Sequence, residues 1–176
     1  ETQPQIYSGL AISIVIIFAI LLFHFKDIRM SVLIMLALLF SLLGAATGVL
    51  VMGQEVGITG ILGIISLMGI IVRNGIIMVD YAEELRVHHR LSAKRAALQA
   101  AQRRMRPIFL TSAAASMGVI PMVIANTPLW GPMGVVVCFG TIVSLFFIVT
   151  MIPIGYWMIF RIQDRKRTLK MVAHTK

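Results

Sequence analysis

The stretch IIVRNGIIMVD, residues 70–80, places one arginine and one asparagine inside an otherwise apolar run. A charge held in hydrocarbon costs a few kcal/mol or more, so Arg73 predicts either a partner of opposite charge or a route to water. A partner means chemistry: a guanidinium facing a carboxylate that can take up and release a proton. A route to water means snorkelling, in which the long side chain reaches for the interface. Arg73 lies seven residues before Asp80, about 10 Å along a helix. Helical side chains lean toward the N-terminus of their own helix, so on a helix that starts outside, Arg73 leans away from the nearer surface. The acids are Glu1, Asp27, Glu55, Asp80, Glu83, Glu84 and Asp164, and all lie at span ends or in connections. The partner of Arg73 is therefore expected on a helix outside this sequence. Asn74 beside it has two open readings, a helix–helix hydrogen bond or a part in proton handling.

The elements that must position these residues are membrane spans. The 176 residues are 59% hydrophobic and 13% charged, against about 45–50% and 25% for soluble domains. Mean hydropathy is +0.92. Apolar runs near 20 residues match a hydrocarbon core of about 30 Å. The fold class expected is an all-α integral membrane bundle. Its five spans are read at about 6–25, 31–52, 58–79, 108–125 and 134–160, followed by a basic tail over 161–176. Pro153 predicts a kink in the fifth.

Charge placement sets the topology. Lys26 and Arg29 follow the first span; Arg86, Arg90, Lys94, Arg95, Arg103, Arg104 and Arg106 lie between the third and fourth. Arg161, Arg165, Lys166, Arg167, Lys170 and Lys176 follow the fifth. The connections 53–57 and 126–132 carry none, so 15 of 16 basic residues fall on one side, which the positive-inside rule makes cytoplasmic. The sixteenth is Arg73. The net charge of +9 thus reports orientation and anionic lipid, not nucleic acid.

Residues 92–105 predict an interfacial amphipathic helix on the cytoplasmic side, capped by Ser92. Ala93, Ala96, Ala97, Ala100 and Ala101 share one face, and Arg104 returns to that face and points at the bundle. Pro107 disfavours helix at Arg106, so a bend is expected before the fourth span. Thr111 and Ser112 follow, with hydroxyls suited to bonding their own backbone. Gly44 and Gly48 form a small-xxx-small pattern, a signal for close helix packing. One cysteine, Cys138, excludes a disulfide framework. There is no P-loop motif, no metal-ligand spacing among the twelve methionines and four histidines, and no enzyme constellation. Starting at Glu1 without a methionine, the chain reads as one segment of a longer polypeptide.

MGIIVRNGIIMVDYAEELR (68–86) and RRMRPIFLTSAAASMGVIPM (103–122), in this order and spacing, resemble the C-terminal membrane half of the resistance-nodulation-division (RND) transporters. The nearest branch is the hydrophobe/amphiphile multidrug exporters of Gram-negative bacteria. The resemblance implies the last five of twelve spans, in an inner-membrane homotrimer that works with a periplasmic adaptor protein and an outer-membrane channel. Residues 1–5 would then end a periplasmic domain or its linker. The coupling ion would be the proton, with no other cofactor. Arg73 would face an aspartate pair on the N-terminal half of the same transporter; Thr111 and Arg104 match relay residues, with Asn74 beside them. Well-studied members carry lysine at the position of Arg73, which puts in doubt proton release by this residue but not a counter-ion role. Two other readings stay open: a split or degenerate half acting as a non-transporting assembly module, and an exporter of lipid or metal ions.

Overall fold

The computed structural model describes residues 3–55 and 57–174, with side chains over 4–55 and 57–165. Glu1 and the side chains of Lys166, Arg167, Lys170 and Lys176 lie outside the described residues. The chain forms five helices: α1 (Gln3–Phe25), α2 (Ile28–Met52), α3 (Ile58–Val87), α4 (Ala93–Ala125) and α5 (Gly131–His174). All five are long and apolar enough to cross a membrane.

The reversals are short because single residues take the left-handed conformation. Gly53 closes α2 at φ 62°, a region glycine enters without steric cost. Asn126 closes α4 at φ 46°, and asparagine is among the few side chains that tolerate it. Asp27 caps α2, its side chain accepting from the Arg29 amide at 3.3 Å.

α5 is the central helix: it packs against α2, α3 and α4, whereas α1 touches α2 and α3 alone. Water does not drive association inside a bilayer, so close backbone approach has to hold these contacts. The Gly44–Gly48 pattern does this on α2. A Cβ placed on Gly44 would lie 2.5 Å from Val143 Cβ, and one on Gly48 would lie 2.6 Å from Phe139 Cβ. Phe40 stacks on Phe147 one turn further along, centroids 4.9 Å apart, so the antiparallel register is continuous. Gly140 receives Leu67 of α3 and Gly155 receives Leu33 of α2, two close approaches from α5 that its sequence did not signal.

Two local expectations are corrected. The 92–105 helix and the fourth span are one continuous helix, with Pro107 inside it. Pro107 leaves the carbonyl four residues back, that of Arg103, without its helical donor, which a membrane helix tolerates where neighbouring groups satisfy it; one turn further on, Thr111 Oγ1 donates to the Pro107 carbonyl at 2.9 Å. Ser92 takes the N-cap position, but its hydroxyl makes no capping bond. The Asp164 carboxylate of α5 accepts the Ala93 amide instead, at 2.5 Å. A charged acceptor makes the stronger bond and also favours the positive end of the helix dipole. Asp164→Ala is therefore expected to lower stability by about 0.5–2 kcal/mol, the cost of losing a cap. The check is thermal unfolding of the complete transporter in detergent; an unchanged midpoint would return the cap to Ser92.

Candidate functional site

Arg73 sits on the exposed face of α3, together with Leu62, Ser66, Gly69 and Asp80. Among the described residues it has no ion pair; the one salt bridge there joins His24 to Asp80 at 2.9 Å. Asp80 is thus held by α1, two turns from the arginine. A Cβ on Gly69 would meet nothing within 4 Å. The middle of a span therefore presents a hydroxyl, a bare backbone and a guanidinium in one stripe. Lipid is a poor neighbour for such a stripe, and a second helix carrying a carboxylate is a good one.

Asn74 points the other way. It is 3% exposed, and its Nδ2 has no hydrogen-bond partner. One residue on an α-helix turns about 100°, which separates the two polar neighbours: Arg73 outward, Asn74 into the bundle.

Arg104 is half-buried, as its place on the alanine face predicts, and Ala93, Ala96, Ala97 and Ala100 are buried beside it. Its guanidinium carbon stands 4.7 Å from the Tyr81 ring centroid, a cation–π geometry. Arg103 Nη1 reaches the Tyr81 hydroxyl at 3.4 Å, so one tyrosine of α3 gathers two arginines of α4. Thr111 is exposed and bonds its own helix, at 2.9 Å to Pro107 O and 3.0 Å to Ile108 O. Among the described residues no hydrogen bond or ion pair joins Arg73, Asn74, Arg104 and Thr111 to one another.

Sequence reasoning missed two groups. The first is a hydroxyl seam between α4 and α5. Ser116 and Thr141 are bonded at 2.7 Å, Ser144 donates to Thr141 O at 2.8 Å, and buried Ser112 Oγ has no partner. Each of these hydroxyls reads singly as a backbone-bonding residue, and no linear spacing joins residues 116 and 141. The second group is at the basic end. Arg86 lies over the Phe160 ring at 3.7 Å and donates to Gln163 Oε1 at 3.2 Å, so a residue read for topology also joins α3 to α5.

Similarity to known proteins agrees with the all-helical membrane fold. The AcrB/AcrD/AcrF family model matches residues 1–160. The chain is 30% identical over 128 residues to the multidrug resistance protein MdtC of Pantoea ananatis, covering 71% of this chain and 12% of that protein. It is 28% identical over 169 residues to the cobalt-zinc-cadmium resistance protein CzcA of Cupriavidus metallidurans, covering 93% and 16%. Among solved structures it is similar to a heavy metal efflux pump, at TM-score 0.71 and 29% identity over 82% of this chain and 14% of that one. The chain spans 12–16% of the length of these curated relatives. An all-helical bundle of five apolar spans, a matched family over nine-tenths of its length and efflux proteins among its relatives lead to one conclusion: this chain belongs to the AcrB/AcrD/AcrF family of RND transporters.

Proposed function

We propose that the chain is the C-terminal membrane portion of a proton-driven exporter, and that Arg73 is the fixed cation of its proton relay. The observation that carries this is the stripe of Ser66, Gly69 and Arg73 on the open face of α3, with no acid of the described residues paired to the arginine. An ionised carboxylate from the N-terminal half holds the guanidinium; protonation cancels the attraction. The side chain then reorients, and the two halves shift between packed arrangements. Arginine keeps its charge throughout, so the proton travels on the carboxylates. Arg104, held at Tyr81 near the basic end, stands toward the cytoplasmic approach to Arg73, Thr111 adds a hydroxyl on α4, and Asn74, turned into the bundle, acts behind the arginine.

The topology proposed puts the basic end in the cytoplasm, in the inner membrane of a Gram-negative cell. The working assembly is a homotrimer with a periplasmic adaptor and an outer-membrane channel. A non-transporting half is disfavoured, because it has no use for a costly intramembrane charge.

The test is coupling. In inverted membrane vesicles carrying the complete transporter, collapsing the whole proton-motive force, pH gradient and membrane potential together, with a protonophore is expected to stop substrate movement while ATP remains. Movement that continues unchanged would exclude proton drive. For the substrate we propose drugs or other amphiphiles, the class named in the MdtC relative. The second reading, divalent metal export, rests on the similarity to CzcA and to the heavy metal pump. Cells expressing the complete transporter distinguish the two by tolerance to amphiphilic dyes or to cobalt, zinc and cadmium.

A further inference from the structure

At the basic end of the α4–α5 seam a groove opens on the outside of the bundle. Lys94, Ala97 and Leu98 line it from α4, and Pro153, Ile154 and Trp157 from α5. Leu98 is 57% exposed and Ile154 52%, so no described residue covers its wall. Charge collects at one end. Lys94 stands at the start of α4, and Arg161 follows Trp157 by one turn of α5, its guanidinium carbon 5.3 Å from the Trp157 ring centroid. Neither cation has an ion pair among the described residues. Asp164, the acid at this end, is directed to the Ala93 amide.

We infer that this groove binds one anionic glycerophospholipid of the cytoplasmic leaflet. Its phosphate sits between Lys94 and Arg161, its glycerol level is marked by Trp157, and an acyl chain lies along Leu98, Ile154 and Pro153. Three properties select this occupant. Two cations with no ion pair among the described residues match a headgroup of net negative charge. An indole one turn inside the basic residues matches the aromatic belt, where apolar ring and polar edge meet different media. The floor below it is apolar and lies between two helices, as an alkyl chain requires. A zwitterionic lipid fits the floor but brings its own cation to the two already present.

This inference rests on the membrane placement of the bundle and not on proton coupling, and its test is independent of transport. The complete transporter is reconstituted in nanodiscs of phosphatidylcholine and phosphatidylglycerol, released into detergent and weighed by native mass spectrometry. Both leaflets carry both lipids, so orientation does not affect the result. The wild type is expected to keep phosphatidylglycerol through washes that strip phosphatidylcholine. Lys94→Gln with Arg161→Gln is expected to weaken that retention about 30-fold, from two basic residues at a membrane surface. Equal retention of phosphatidylglycerol by wild type and variant, or equal retention of the two lipids, overturns the proposal. A photo-crosslinking amino acid at Leu98 supplies a second readout that leaves both cations in place. An adduct of phospholipid mass supports the site; an adduct with a peptide of the transporter shows a helix in the groove and overturns it.

Discussion

Arg73→Ala in the complete transporter is expected to reduce efflux to the level of cells lacking the pump, while Arg73→Lys retains most of it at matched expression. In the relay proposed above the carboxylates belong to the N-terminal half, and Arg73 would set their electrostatics. Removing one member of a buried ion pair leaves an uncompensated charge, at about 3–5 kcal/mol. The remaining carboxylate meets that cost by staying protonated, because loss of a nearby cation raises its pKa. A carboxylate that no longer releases its proton no longer cycles. Lysine keeps the charge as a compact ammonium, although it gives up the bidentate fork of the guanidinium. Measured by dye accumulation in intact cells, this pair of variants separates a fixed charge from a snorkelling one. Normal export by Arg73→Ala would mean that the side chain only reaches for water. The structure already makes that harder: the stripe it belongs to, with Ser66 and Gly69, is shaped for a helix.

Gly44→Ala is the second variant with a large expected effect, and it acts on packing alone. A Cβ at Gly44 would stand 2.5 Å from Val143 Cβ, an atom bound directly to the α5 backbone and unable to swing away, and 2.6 Å from its Cγ1. The helices must separate, and overpacking of this kind costs about 1–3 kcal/mol. The same change at Gly9 or Gly118, where nothing lies within 4 Å, is expected to be nearly neutral. A Gly44→Ala/Val143→Gly pair removes the α5 side chain that the new Cβ meets and should restore part of the loss. Thermal unfolding of the four variants in detergent checks the ranking. Equal midpoints for Gly44→Ala and Gly118→Ala would sink the close-approach account of the α2–α5 seam.

Helix count, order and orientation of charge followed from composition and spacing, because a bilayer admits few solutions. Each span must satisfy its own backbone, so length and apolarity suffice to find it. The five expected spans each lie within one observed helix, which extends beyond them at one or both ends. Gly44 and Gly48 were legible for a related reason: without water between helices, small side chains are what close contact requires. Arg73 was legible as a misfit, a charge with no acid at its depth.

The rest depended on which residues from distant parts of the chain meet. Ser92 had the right type for a cap, yet Asp164, 71 residues away and charged, lies at the Ala93 amide and replaces it. Pro107 favours a bend locally, yet α4 runs through it with its alanine face buried against the bundle. Arg104 and Tyr81, His24 and Asp80, Ser116 and Thr141 are pairs that no linear pattern links. By itself the sequence determined that five helices are apolar enough to cross a membrane and that one cation stands within a span, since the solvent on each residue decides that. Only the tertiary structure decided that Arg73 faces outward and Asn74 inward. The face of a uniformly apolar helix that becomes buried is set by its neighbours' shapes, above all by the groove of α5, and not by its own periodicity.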